Sequence, residues 1–373
     1  VRVVVAPDSF GTVMSARQSA EAIAAGWSQA RPHDELVLQP MSDGGPGFLE
    51  SIAGAVAGEL RKVSAVGLLG RTVRAEILIA DDTAYIESAQ ACGLQLLGDG
   101  ERDPARLDTG GVGDLIRTAG GLAPKVVVGL GGSATNDGGT GMLERLGMRF
   151  LGPSQVPLAP LPIRLEELER VEFAPPELPR LVGAADVGNP LLGERGATAI
   201  FGRQKGSGIE LAVRLERALG RLVEVIARDL PASAGLDRLP GAGSAGGLGY
   251  AVALLGGTLQ PGIDLVLEAV GFDHQLRGAD LVVTGEGSLD RQSLGGKAVA
   301  GVAKAARSLG VPCLAIAGEV ALSEVELSRL GIAAACDVSD AAGSRELSLS
   351  EPARWLSEVA RRASEGDLAR LLS

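Results

Sequence analysis

The sequence predicts an α/β protein of two domains, with parallel or mixed sheets flanked by helices. Three observations predict it. First, short apolar runs of Val, Leu, Ile and Ala alternate with amphipathic helical patterns along most of the 373 residues, the spacing of parallel-sheet units. Second, nearly every run ends in a turn of Asp, Gly, Ser or Asn. Loops at strand C-termini line the ligand crevice in such folds. Third, 54 residues are glycine, about double the usual ~7% share. The glycines follow no three-residue period, which excludes collagen. A hydrophobic content of 46% argues against disorder. The length exceeds one ordinary core and suggests about two domains.

Along the chain, residues 1–5 form the first apolar run, followed by Ala6-Pro7-Asp8-Ser9. Ser15 reads as the N-cap of a helix to about Ala30. The run 36–38 leads into Ser42-Asp43-Gly44-Gly45 and a helix from about Phe48. Residues 63–66, 73–79 and 84–88 break the pattern and read as an antiparallel meander. A change of character there points to a second domain, 61–278, inserted into a first that comprises 1–60 and 279–373 and is Rossmann-like or flavodoxin-like. Within the insert, the runs at 125–128 and 181–182 lead into loops at 129–137 and 185–190. The Pro-rich stretches 153–162 and 175–179 read as surface connections. The runs 281–283 and 314–317 lead into Thr284-Gly285-Glu286-Gly287 and Gly318-Glu319. The patterns at 211–230 and 351–372 read as scaffold helices.

The net charge of −11 argues against duplex nucleic acid as a partner, because that partner demands a basic footprint. It says little about a local pocket. Cys92, Cys313 and Cys336 are odd in number and form no CxxC pair, so a disulfide framework or structural zinc is not expected. A reducing cytoplasm fits. No signal peptide is expected at the start, since Pro7 and Asp8 stop the first apolar run. No apolar run reaches the ~18 residues that span a bilayer. His33 and His274 do not form an HExxH site and read as surface residues. Cys336 reads as a core thiol.

Several motifs fail on inspection. Gly296-Lys297 is followed by Ala298, so no Walker A motif is present. Gly241, Gly243 and Gly246 match GxGxxG without a preceding strand. Protein-kinase signatures are missing, and no GxSxG elbow has a suitable histidine. What remains is a set of glycine-rich loops beside scarce lysines and repeated acids. Residues 131–135 and 243–247 are expected to present backbone N–H groups to phosphate oxygens. Only five of the 35 basic residues are lysines, and Lys205 and Lys297 lie in glycine-flanked loops. Asp8, Asp43, Asp137, Asp186, Glu286 and Asp290 suit either Mg²⁺ or proton acceptance from a hydroxyl.

Taken in order, the motifs resemble a known family. They are Ala6-Pro7-Asp8-Ser9-Phe10, Ser42-Asp43-Gly44-Gly45, Gly129-Leu130-Gly131-Gly132-Ser133-Ala134-Thr135-Asn136-Asp137-Gly138-Gly139 and Asp186-Val187-Gly188-Asn189-Pro190. Phe201-Gly202-Arg203-Gln204-Lys205-Gly206, Pro261-Gly262-Ile263-Asp264 and Thr284-Gly285-Glu286-Gly287-Ser288-Leu289-Asp290 continue the series. They resemble the type-1 glycerate kinases over nearly the whole chain. The resemblance implies two α/β domains, one inserted in the other, with the active site in the cleft between them. It also implies phosphorylation of D-glycerate by ATP, most often at the 2-hydroxyl. One departure stands out. The family usually reads Ser-Phe-Lys-Gly, whereas here Phe10 runs straight into Gly11.

The resemblance does not divide nucleotide from glycerate contacts; by the chemistry of the loops themselves, ATP with Mg²⁺ is expected along Gly131, Gly132, Ser133 and Ala134 and along Gly243, Ser244, Gly246 and Gly247. Lys205 and Lys297 would supply charge. Asp8, Ser9, Asn189 and Asp137 are expected near glycerate. Asp186 or Asp290 would orient the attacking hydroxyl, and Glu286 and Asp43 would hold the metal. The expected product is 2-phosphoglycerate, with 3-phosphoglycerate as the other regiochemistry. Two alternatives stay open: a kinase for a related hydroxy acid, and a homologue impaired by the absent lysine. A homodimer also stays open, and no membrane partner is expected.

Overall fold

The computed structural model describes residues 1–174, 177–185, 187–295 and 297–366. It divides into two compact units, one of Val1–Asp43, Glu50–Val56 and the chain from Ile263 onward, the other of Gly44–Leu49 and Ala57–Gly262. The second boundary falls at Gly262 because Ile263 closes against Gly301 in the first unit, where an added Cβ would lie 2.4 Å from its side chain.

In the first unit, strand Arg2–Val5 lies between Glu35–Leu38 and Leu281–Thr284, followed outward by Cys313–Ala317 and Ala334–Asp337. All four pairings are parallel. Val3, Val4 and Val5 are fully buried, as expected of a strand covered on both faces. Counted along this unit, the strand order is 2-1-3-4-5. The connections therefore reverse direction between the first and third strands, and the crevice at their C-terminal ends is where such sheets bind ligands. Ser15 caps helix Ala16–Ala30 in a full capping box with Gln18. That helix packs on Pro352–Gly366, and Gly26 makes the approach feasible: a Cβ there would sit 1.8 Å from the Ser357 carbonyl oxygen. One face of the sheet is filled by Ile23, Trp27, Leu281, Leu314, Ile316 and Val359.

The second unit carries a six-stranded sheet. Its order is Thr258–Pro261, Arg180–Ala185, Lys125–Gly129, Thr83–Glu87, Thr72–Ala80, Glu59–Val66. The three runs read as a meander pair antiparallel, and the remaining pairings are parallel. Helix Ile209–Asp229 buries Leu215, Leu219, Leu222 and Ile226 on one stripe, the spacing of an amphipathic helix. The Pro-rich connection is more structured than its composition implied. It is bracketed by an antiparallel pair, Met148–Leu151 with Arg170–Phe173. Pro175 lies outside the described residues. His33 and His274 are exposed. Cys336 is half-buried rather than a fully enclosed thiol, on a strand whose residues are all half-buried.

Among the described residues, no helix is long and apolar enough to cross a membrane.

Candidate functional site

In the first unit, Asp8 and Glu286 follow the adjacent strands Arg2–Val5 and Leu281–Thr284, at the point where the strand order reverses. The Asp8 amide donates to the Gly285 carbonyl at 2.8 Å, locking the two loops together. Burial pushes the Asp8 carboxyl up to about 8, and the charges of Asp43 and Glu286 push the same way. The Ser9 amide donates to Asp8 Oδ1 at 2.6 Å. Burial also raises Glu286, with Asp43 and Asp290 adding to the rise, while a Ser293 hydrogen bond and the Lys297 ammonium oppose it. Glu286 Oε1 is buried and accepts no hydrogen bond. Asp8, Asp43 and Glu286 thus form a mutually repelling set, with Lys297 beside it at the N-cap of helix Ala298–Ser308.

Asp290 serves its own turn. Its Oδ1 accepts the Gln292 amide at 2.7 Å and its Oδ2 the Ser288 hydroxyl at 3.4 Å. Asp186 lies outside the described residues.

In the second unit, an open pocket is lined by Gly132, Ser133, Phe201, Gln204, Lys205 and Ala245, among others. Lys205 is 3% exposed. A short turn, Arg203–Lys205, presents it, ended by Gly206 in the left-handed region at φ 102°. Its Nζ donates to Ser133 Oγ at 3.0 Å and to the Thr135 carbonyl at 2.7 Å. Two loops and a lysine singled out in the sequence therefore meet at one concavity. Phe201 and Gln204 line the same pocket, and their place in the Phe201–Gly206 stretch with Lys205 is the sequence signal for them.

The glycine-rich loops are tied into the unit by their own backbone. The amides of Gly131, Ala134, Gly243, Ser244, Gly246 and Gly247 all donate to protein carbonyls, whereas Gly132 and Ser133 line the pocket. Several of their glycines admit neighbouring backbone. A Cβ at Gly131 would lie 2.3 Å from Gly45 Cα, one at Gly243 2.3 Å from the Pro190 oxygen, and one at Gly246 2.0 Å from the Thr135 oxygen. The loops interlock, and Ser133, Gly132 and Ala245 are the members left facing the pocket. Ser244 is buried, its hydroxyl donating to Val187 at 3.3 Å.

Asp137, expected near glycerate, lies in the interior of the second unit. It is fully buried, with both carboxylate oxygens accepting bonds from within the unit. Asn189 is half-buried; its Nδ2 donates to the Arg195 carbonyl at 2.7 Å and its own carbonyl accepts the Gly243 amide.

A profile of the glycerate kinase family matches residues 3–366. The chain belongs to the glycerate kinase family. It is 41% identical over 344 residues to a glycerate kinase of Halalkalibacterium halodurans, covering 89% of each chain. It is 38% identical to the glycerate 2-kinase of Escherichia coli K12, covering 86% of each. A solved structure from Salmonella typhimurium LT2, provisionally named glycerate kinase 2, superposes with a TM-score of 0.78 at 35% identity and 99% coverage of both chains. As a family member the chain is an enzyme, a kinase, on a mixed α/β fold.

Proposed function

We propose that this enzyme transfers the terminal phosphoryl group of ATP to the 2-hydroxyl of D-glycerate, giving 2-phosphoglycerate and ADP in the cytoplasm. The observation that carries the reading is the buried Lys205 ammonium at a pocket lined by both glycine-rich loops. Phosphoryl transfer needs positioning and charge stabilisation more than covalent chemistry. Lys205 and Ser133 offer a fixed cation and a hydroxyl for an anionic group entering that pocket.

The carboxylates of the first unit fit a shared Mg²⁺. Asp43 and Glu286 would hold it, and the orphaned Glu286 Oε1 is the supporting observation. Among the described residues no group of three or more such side chains is arranged to hold a metal alone. Mg²⁺ commonly takes one or two carboxylates and completes its shell with phosphate oxygens and water. When bound, it neutralises phosphate charge. Lys297 tempers the acidic set from the same unit. Asp8 and Ser9 are assigned to glycerate, and so is Asn189. With Asp290 engaged in its own turn, Asp186 is the candidate carboxylate for orienting the attacking hydroxyl.

A coupled ADP-release assay with D-glycerate, ATP and Mg²⁺ tests the reading, and phosphorus NMR of the product separates 2- from 3-phosphoglycerate. No turnover with D-glycerate in intact protein would overturn it. The impaired-homologue reading draws on one observation: the exposed turn beginning at Gly11, φ 58°, has no lysine after Phe10. Ligand binding by calorimetry without ADP release would favour it.

A further inference from the structure

Asp137 is a buried acid that the proposed chemistry does not use, and its surroundings are unusual. Its Oδ2 accepts the Thr109 amide at 2.9 Å, the Thr109 hydroxyl at 2.8 Å and the Gly141 amide at 3.0 Å. Its Oδ1 accepts the Gly139 amide at 3.0 Å. Four donors from two separate stretches of chain therefore converge on one carboxylate. The Thr109 hydroxyl in turn accepts the Met142 amide at 3.0 Å. Gly141 makes the convergence feasible, since a Cβ there would lie 2.6 Å from the Gly110 nitrogen and 2.7 Å from that of Thr109. Side-chain acceptors this well satisfied are a device for fixing backbone, because leaving any one of these buried donors unpaired is unfavourable.

What the carboxylate fixes is the end of the loop that holds Lys205. Thr135, two residues upstream, receives the Lys205 ammonium on its carbonyl, and Ser133 receives it on its hydroxyl. Asn136, between them and Asp137, is tied by its Nδ2 to the Thr198 hydroxyl at 2.9 Å. We infer that Asp137 is a positioning residue for phosphoryl transfer: with Thr109 it clamps the Ser133–Asn136 stretch so that the Lys205 ammonium is held at the pocket. This rests on the reading that Lys205 serves the transferred group. A shift of about 1 Å in such a group costs on the order of 10²-fold in rate.

The test uses the full chain and steady-state ADP release, with folding checked by circular dichroism. Thr109→Val, which keeps shape and removes the hydroxyl, is expected to lower kcat about tenfold with KM values within threefold, and Thr109→Ser to stay within twofold of wild type. Asp137→Asn is expected to lower kcat at least thirtyfold. Combined with Lys205→Met, it is expected to add less than threefold to the loss from Lys205→Met alone, as coupled groups do. Losses that multiply in the double variant, or full kcat in folded Thr109→Val, would overturn the clamp. Wild-type kcat in Lys205→Met would instead overturn the reading of the pocket. Should Asp137→Asn not fold, the Thr109 pair still decides.

Discussion

Lys205 stands 72 residues from Ser133 and 70 from Thr135 in sequence, yet its ammonium bonds both. Its substitution by Ala is expected to lower kcat at least ~100-fold, the loss typical of one strong transition-state contact. Lys297→Ala, which removes the cation beside Glu286, and Asp186→Ala are expected to match it in the same assay; near-wild-type turnover in any of the three would remove that residue from the mechanism. Asp137 gives a prediction in pH. Burial raises its carboxyl from 3.8 to about 6, against the pull of its amide and hydroxyl donors. Between those two values the folded state holds a proton that the unfolded chain has released, and above them both states carry the carboxylate. This group's contribution to stability is therefore complete below about pH 4 and is lost as pH rises through about 6. The difference in unfolding free energy between wild type and Asp137→Asn should shrink by on the order of 2–3 kcal/mol from pH 4 to pH 7 and stay flat above. Urea melts across that range would show it; a difference that grows with pH would contradict the assignment.

At the scale of elements, glycines decide which segments can touch. Gly246 has φ 71°, and a Cβ would overlap the Thr135 oxygen at 2.0 Å. Gly246→Ala therefore combines left-handed strain with a backbone collision, and is expected to destabilise by about 3 kcal/mol or more while lowering activity through the displaced Thr135 carbonyl. Gly26→Val should be as destabilising in denaturant melts, because helix Ala16–Ala30 has no room over Ser357, but should leave the pocket of the other unit intact. The strands and helices themselves were legible. Valine-rich runs with turn residues at their ends marked the parallel strands, and Ser15 with Gln18 marked a helix start. The pair Met148–Leu151 and Arg170–Phe173 was not, because a long Pro-rich connection hides two short strands whose partnership is set by closure rather than by period.

For the whole molecule, each unit has its own apolar cluster, one including Ile23, Trp27 and Val283 and the other including Ile77, Leu115 and Leu222. Scanning calorimetry is therefore expected to give a calorimetric enthalpy above the van't Hoff value, the mark of more than one cooperative unit. Equal enthalpies would mean that the chain unfolds as one.

The order of apolar runs, the turn residues after them, the meander and the family motifs are all properties of neighbours in the chain, and they are readable before folding. Periodicity and capping act over a few residues, so the α/β class and the strand ends were visible, along with Lys205, Asp137 and the glycine loops as candidates. Their roles were not. A glycine beside a ligand and one that admits another loop look alike in sequence, and the backbone that crowds Gly131, Gly243 and Gly246 is brought close only by folding. Likewise Asp137 is a clamp because Thr109, 28 residues away, turns its amide and hydroxyl onto it. Hydrogen bonds of that reach depend on where the sheet and its helices carry each loop, and only the packed molecule sets those positions.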